Sequence, residues 1–393
     1  MSTTTQTQVI IIGGGPSGLM LSHILQQQGI DSIILERTSR QRVLQRIRAG
    51  VLEDGTVQML REHGLGQRLD AEGSVHNGTG IVWGGHEQFF IDVKKHTGRT
   101  MMAYGQTAIT EDLYAARDAA GGLIIEEVAD VVLHEVTGRK PWASYQKAGV
   151  THRIEADFIA GCDGFHGVSR RTIPASVLRT FEKVYPFGWL GVMSRTPPVP
   201  EIIYANHPDG FAMCSQRNPM LSRYYVQCPL SDTPDDWSDD RFWDALTTRM
   251  GPALASQIET GPSIEKSIAP LRSFVAEPMR WGQLFLVGDA AHIVPPTGAK
   301  GLNLAFSDVF YLSRALIDWY RNGRTAGLDG YSDTALRRVW SATRLSWWLT
   351  NLLHRFPDQT EIDQRLQEAE LDFLKRNEDA QRALAMPYVG EPF

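Results

Sequence analysis

Six residues near the start, Gly13-Gly14-Gly15-Pro16-Ser17-Gly18, satisfy GxGxxG directly after the apolar run Val9-Ile10-Ile11-Ile12 and at the head of a helical pattern. In a strand–turn–helix setting, Gly13 makes the tight turn, Gly15 lets backbone approach a pyrophosphate, and Gly18 lets helix pack on strand. The helix start at Ser17 then offers N–H groups and partial positive charge to a diphosphate. Glu36 ends the next apolar run, eighteen residues after Gly18, where a carboxylate would accept from a ribose hydroxyl. The bland alternative is a glycine-rich turn in an α/β domain. The motif alone leaves FAD and NAD both open. Asp163, in Cys162-Asp163-Gly164, and Asp289, after Gly288, each follow a further apolar run, and an Asp there can hold a ribityl or ribose hydroxyl; either pair alone reads as a plain turn.

A second group lies mid-chain. Along the alternating run 211–217, Phe211, Met213, Ser215 and Arg217 share one face. The next run puts Arg223, Tyr225 and Gln227 on one face. If a loop over 218–222 sets Arg217 opposite Arg223, then Ser215 falls opposite Tyr225. Two facing arginines are destabilising unless an anion lies near. A carboxylate held by Arg217, Ser215 and Tyr225 would resolve that, and a solvated hairpin face is the alternative. Pro295-Pro296-Thr297 reads as a stiff turn before a helix. Arg37, Arg40, Arg42, Arg46 and Arg48, five arginines in twelve residues, could hold a phosphate or form a solvated basic face.

The elements that must position these groups follow from the same residues. A β-branched run, then Leu21, Ile24 and Leu25 at helical spacing closed by Gly29, then Ile33-Ile34-Leu35, is a βαβ unit. Residues 83–107 and about 181–230 read as short antiparallel strands broken by Gly, Pro and Asn. Beyond Gly301 the pattern is helical, and 344–356, with Trp347 and Trp348, reads as a packing or dimer helix. The expected fold is α/β: a Rossmann-like dinucleotide domain over 1–180 with a β excursion at about 80–107, an antiparallel substrate-binding domain over 181–280, and a strand–helix plus helical region over 281–393.

Composition agrees. The 393 residues are 42% hydrophobic and 21% charged, ordinary for a globular chain. Lys+Arg 39 against Asp+Glu 45 gives −6, which argues against nucleic-acid binding. No apolar run suits a bilayer, and the polar N-terminus has no secretory pattern. Cys162, Cys214 and Cys228 form no CxxC, and no HExxH, metal-ligand spacing, GxSxG or GxxxxGK[ST] occurs, so no metal is expected. The expectation is a cytoplasmic protein with neither membrane nor nucleic-acid partner.

Four runs, 46–53, 159–167, 204–208 and 288–305, resemble the class A flavoprotein aromatic hydroxylases, and the likeness extends from Val9 to Val389. The resemblance implies FAD, a reduced nicotinamide, O2, a small aromatic acid substrate and a homodimer. It implies hydroxylation of 4-hydroxybenzoate at the 3-position through a flavin C4a-hydroperoxide. Its FAD contacts match Gly13, Gly15, Ser17, Gly18, Glu36, Arg46, Arg48, Gln106, Asp163, Arg223, Asp289, Lys300, Gly301, Leu302 and Asn303. Its substrate contacts match Ser215, Arg217, Tyr225, Tyr204, Pro296 and Thr297. Two tyrosines, matching Tyr204 and Tyr388, relay the substrate's phenolic proton to a histidine matching His76, and the Pro296 carbonyl faces the substrate hydroxyl. On residues alone, Tyr204 and Tyr388 are ordinary tyrosines, Tyr388 near a terminus, and His76 is a surface histidine in loop-like sequence.

Nicotinamide contacts match Arg37, Arg42, Arg48, His166, Arg170 and Arg272. Thr38 and Arg42 replace a glutamine and a tyrosine of NADPH-selective relatives; the added charge favours NADPH, with activity on NADH retained. Two rival readings remain. The pocket residues Ile202 and Met213, leucines in related hydroxylases, could admit 3,4-dihydroxybenzoate and give gallate; or the chain could be a non-catalytic dinucleotide sensor.

Overall fold

A computed structural model describes residues 4–45, 50–84 and 88–393. The apolar runs become a six-stranded sheet in the order Arg280–Trp281, Leu284–Leu286, Phe158–Gly161, Val9–Ile12, Ser32–Leu35, Ile124–Ile125. All its pairs are parallel except the antiparallel edge Arg280–Trp281. Every residue of Val9–Ile12 is buried, as a strand covered on both faces must be. The helix Pro16–Gln27 starts with Pro at its first turn and gives way to Gly29 at φ +71°. Because Ile12, Leu35, Gly161 and Leu286 lie in register, the turns at Gly13, Glu36, Asp163 and Gly288 emerge at one carboxyl edge.

Across that edge stands an eight-stranded sheet: His292–Ile293, Ser263–Glu277, Arg179–Ser194, Leu221–Cys228, Ala212–Asn218, Ile202–Asn206, Gly78–Trp83, Phe89–Asp92. Its last two strands come from the amino-terminal part of the chain, and Gly78–Trp83 runs parallel to Ile202–Asn206. The stretches read separately from sequence thus interleave in space. Two expectations need correction. The 83–107 stretch is not all strand: Val93–Thr97 is a short helix, capped by Asp92 accepting from the Lys95 N–H at 2.8 Å and ended by Gly98 at φ +72°. Likewise 181–280 holds the helix Asp239–Ala255, started by Ser238.

A three-stranded sheet, Val51–Leu52, Met101–Ala103 and Ser74–His76, joins the two large ones. The helices Gly301–Asn322, Tyr331–Leu353, Glu361–Arg376 and Glu378–Val389 close the fold. Among the described residues no helix is long and apolar enough to cross a membrane.

Candidate active site

At the sheet edge the glycines form a cradle. A Cβ on Gly13 would stand 2.3 Å from the Cys162 carbonyl oxygen, and one on Gly18 would stand 2.1 Å from that of Gly13. A Cβ on Gly15 would meet nothing, so open space lies over the start of the Pro16–Gln27 helix, which has no side-chain cap. Free first-turn N–H groups facing open space suit a diphosphate. Asp163 accepts from the Ser169 N–H at 2.9 Å through Oδ2, while Oδ1 is buried with no partner among the described residues, and burial pushes its pKa up. An orphaned acceptor of this kind fits a cofactor hydroxyl. Glu36 is already engaged: it accepts from the Gly14 N–H at 2.7 Å and from the Thr38 N–H and hydroxyl at 2.9 and 2.8 Å. About one of a carboxylate's four acceptor positions is left for a ribose. Gln106 opens the Gln106–Ala119 helix beside this edge, and Asp289 follows Gly288 at φ +62°. Arg46 and Arg48 lie outside the described residues.

Between the sheets is a small cavity lined by Val51, Trp189, Ile202, Tyr204, Met213, Ser215, Arg217, Tyr225, Pro296 and Ala299. The hairpin that supplies four of these departs from the expected register. Ser215 lies opposite Arg223 and Met213 opposite Tyr225; Asn218 pairs with Leu221, so the turn is two residues long. The ladder shifts between Gln216 and Asn218, and that interruption absorbs Arg217. A shift by two keeps the same side chains on the same face, so the cavity lining survives the correction.

The two arginines also differ in their partners. Arg223 donates to Glu265 at 2.5 Å and Ser267 at 3.2 Å; burial opposes its charge, but Tyr225 and Glu265 outweigh it and raise its pKa. Arg217 has no such carboxylate among the described residues. It reaches the Gln216 carbonyl at 3.0 Å and the Ser215 hydroxyl at 3.5 Å, its Nε is buried without a partner, and burial pushes its pKa down against the pull of Tyr225. A cation short of a counter-charge in a cavity is a receptor for an anion.

Opposite it stand the tyrosines. The Tyr204 hydroxyl donates to the Thr297 carbonyl at 2.9 Å and lies 3.0 Å from the Tyr388 hydroxyl. With the Tyr204 proton so used, Tyr388 donates to Tyr204. Both are buried; burial raises both pKa values, and Tyr388 adds to the rise at Tyr204. The Pro296 carbonyl accepts from the Ala299 N–H at 2.9 Å, and the Thr297 hydroxyl meets that of Thr350. His76, read from sequence alone as a surface residue, is buried at the end of Ser74–His76, with Nδ1 2.8 Å from Glu201. Tyr388, near the end of the sequence, is also buried, because the Glu378–Val389 helix docks on the core.

Lys300 and Asn303 flank the cavity but spend their side chains on protein. Lys300 is buried, donates to Glu53 and to the Tyr388 carbonyl at 2.7 Å each, and burial lowers its pKa. Arg338 reaches the same Glu53 at 2.5 Å. Asn303 accepts from the Glu53 N–H and the Thr56 hydroxyl and donates to the Val51 and Ala299 carbonyls. Gly301 and Leu302 begin the Gly301–Asn322 helix, whose positive end faces the site.

Of the nicotinamide candidates, His166, Arg170 and Arg272 gather around the Phe165 ring, and Arg37 and Arg42 lie just past the strand Ser32–Leu35. Arg37, Arg42 and His166 are exposed. Arg170 gives its fork to the Ala290 and Phe165 carbonyls at 2.8 and 2.6 Å, and Arg272 pairs with Glu182 at 3.2 Å. Arg40, by contrast, is tied to Asp118 and Glu126 over the Tyr114 ring.

Sequence reasoning missed Trp189, Val51, Glu53 and Glu201 at the site. Trp189 is held by His354, whose Nε2 accepts from its indole N–H at 2.7 Å, and whose ring stacks on Phe187 and Phe211. Trp189 and Glu201 sit in no motif, and Val51 and Glu53, though inside the 46–53 run, had no role assigned there; the four come together only through the packing of distant elements.

A glycine cradle at the sheet edge and a cavity lined by tyrosines and one arginine suit a flavin hydroxylase. The profile of a family described as an FAD binding domain matches residues 6–346. The chain belongs to the class A flavoprotein hydroxylases and uses FAD. It is 50% identical over 392 residues to the p-hydroxybenzoate hydroxylase of Acinetobacter baylyi, covering 99% of this chain and 96% of that protein. Its fold matches a p-nitrophenol 4-monooxygenase from Pseudomonas putida, with TM-score 0.83, 17% identity and all of both chains covered. It also matches a probable FAD-dependent monooxygenase from Pseudomonas aeruginosa, with TM-score 0.76, 18% identity, 94% of this chain and 100% of that one.

Proposed function

We propose that this flavin-dependent monooxygenase hydroxylates 4-hydroxybenzoate at the 3-position. The reaction consumes O2, NAD(P)H and a proton and yields 3,4-dihydroxybenzoate, NAD(P)+ and water. The observation that carries the reading is the pairing, across one small cavity, of Arg217, which no carboxylate contacts among the described residues, with the Tyr204–Tyr388 hydroxyl pair.

Arg217, with the Ser215 and Tyr225 hydroxyls, holds the carboxylate. That fixes the ring with its phenol toward Tyr204. Tyr204 accepts the phenolic proton and swings its own from the Thr297 carbonyl to Tyr388, whose hydroxyl rotates to pass a proton toward His76, because an ionised phenol is a far stronger ring nucleophile. FAD, held by Gly13, Gly15, Ser17, Gly18, Glu36, Gln106, Asp163, Asp289 and the 300–303 segment, supplies oxygen activation when bound. The apolar wall of Val51, Trp189, Ile202 and Met213 excludes water.

NADPH is the preferred donor in this reading, with Arg37 and Arg42 the free cations for its 2′-phosphate and His166, Arg170 and Arg272 supporting them. The protein works as a cytoplasmic homodimer. The deciding experiment is substrate-dependent NAD(P)H oxidation across a panel of hydroxybenzoates with the product identified; 4-hydroxybenzoate giving no hydroxylated product ends the reading. A second reading, 3,4-dihydroxybenzoate giving gallate, draws on Ile202 and Met213, which both line the cavity. The same panel decides it.

A further inference from the structure

We propose that Glu201 is a positioning residue for proton removal: it fixes the tautomer of His76 so that Nε2 is the free base at the inner end of the tyrosine pair. The inference rests on the hydroxylase reading of the cavity and adds a residue to it. Glu201 stands just before the strand Ile202–Asn206, and His76 ends the strand Ser74–His76. One carboxylate oxygen lies 2.8 Å from His76 Nδ1, and the other accepts from the Asn77 N–H at 3.2 Å. The carboxylate is therefore clamped from two sides. A carboxylate accepts only, so Nδ1 carries the proton and Nε2 holds the lone pair.

Nε2 is buried and has no hydrogen-bond partner among the described residues. A buried lone pair left unmatched is costly, and such costs are retained where the group has work to do. The strand that follows His76, Gly78–Trp83, pairs in parallel with Ile202–Asn206, Thr79 opposite Ile202 and Ile81 opposite Tyr204, which places the pair at the head of the strand that carries Tyr204. The backbone adds a second mark. Glu201 sits at φ +62°, a left-handed conformation uncommon for a residue with a side chain. Strain of this kind concentrates at functional sites. At Glu201 it aims the carboxylate back at His76 while the next residue enters the strand that carries Tyr204.

The test is Glu201→Gln. A glutamine has one acceptor for two donors, and its NH2 facing Nδ1 would move the imidazole proton to Nε2. In the holoenzyme at one mildly alkaline pH, three quantities are read: the phenolate absorbance of bound 4-hydroxybenzoate, its dissociation constant, and the hydroxylated product per NAD(P)H consumed. We expect the phenolate band to weaken and the hydroxylation rate to fall about tenfold or more, as for loss of general base catalysis. The dissociation constant should move far less. Glu201→Asp should recover part of the loss, and Glu201→Gln should cost nothing further in a His76→Asn background. If Glu201→Gln does not fold, Glu201→Asn, at ease in the left-handed region, replaces it. A wild-type phenolate band and wild-type coupling in the folded variant overturn the proposal, as does full additivity with His76→Asn. Wild-type protein that shows no phenolate band and hydroxylates no hydroxybenzoate sinks the underlying reading instead.

Discussion

At the scale of single residues, Arg217 and Tyr204 divide the labour in ways that two variants separate. Arg217→Ala removes the cation proposed to hold the acid. Truncating one partner of a buried charge pair costs about 2–5 kcal/mol, so the dissociation constant for 4-hydroxybenzoate should rise at least ~30-fold while the flavin spectrum stays unchanged. An unchanged constant would move the carboxylate elsewhere. Tyr204→Phe keeps the apolar wall but loses the hydroxyl that joins Thr297 and Tyr388. It should bind substrate and reduce flavin, yet release H2O2 in place of product; normal coupling would reduce Tyr204 to a packing residue. On the outer face, Arg42→Ser should lower kcat/KM for NADPH more than for NADH, whereas equal loss would show that it does not read the phosphate. These residues were legible to different degrees. Alternation put Ser215, Arg217 and Tyr225 on one face, but the irregular ladder at Gln216 was invisible in the spacing. Glu53 ends the 46–53 run and Glu201 lies in no motif, yet neither role was readable, because their partners Lys300 and His76 lie 247 and 125 residues away.

At the scale of elements, the readable parts were those with strong periodicity: Val9–Ile12, its helix and Ser32–Leu35 follow from β-branched runs and glycine stops. The short Val93–Thr97 helix escaped because a single capped turn has too little periodicity to compete with the strands around it. The long strand Arg179–Ser194 also shows why the pocket wall is sensitive to acid. Its Phe187 and Trp189 enclose His354, whose pKa burial pushes down to about 3 from 6.5. A neutral imidazole in the fold and a protonated one in the unfolded chain mean that stability is complete above pH 6.5 and declines as pH falls toward 3. The decline is roughly 1 kcal/mol per pH unit. His354→Gln, which keeps an acceptor for the indole, should flatten this slope; urea midpoints measured across the range check it, and an unchanged slope would assign the acid loss to other groups.

At the scale of the whole molecule, the six- and eight-stranded sheets trade strands, so neither is finished until the chain has crossed between them more than once. The helices beyond residue 330 present an apolar outer face: Trp340, Trp347, Ile362, Leu366 and Phe373 are all exposed. Exposed apolar side chains of this number on the carboxyl-terminal helices suit a second copy of the chain. Light scattering should give twice the 43.9 kDa chain mass, and Trp347→Glu with Leu366→Glu should give the single mass with its flavin retained. A monomeric parent protein would leave that face unexplained.

The docking of Tyr388 has a consequence for how the protein comes into being. Its carbonyl is tied to Lys300, its hydroxyl to Tyr204, and the segment behind it to Arg338 and Arg99. During synthesis, the nucleotide cradle and the acid-binding wall have left the ribosome long before residue 388 does. A nascent or clipped chain could therefore carry cofactor and substrate yet lack the exit for the proton. On the proposed relay, such a chain would oxidise NAD(P)H with release of H2O2 in place of product.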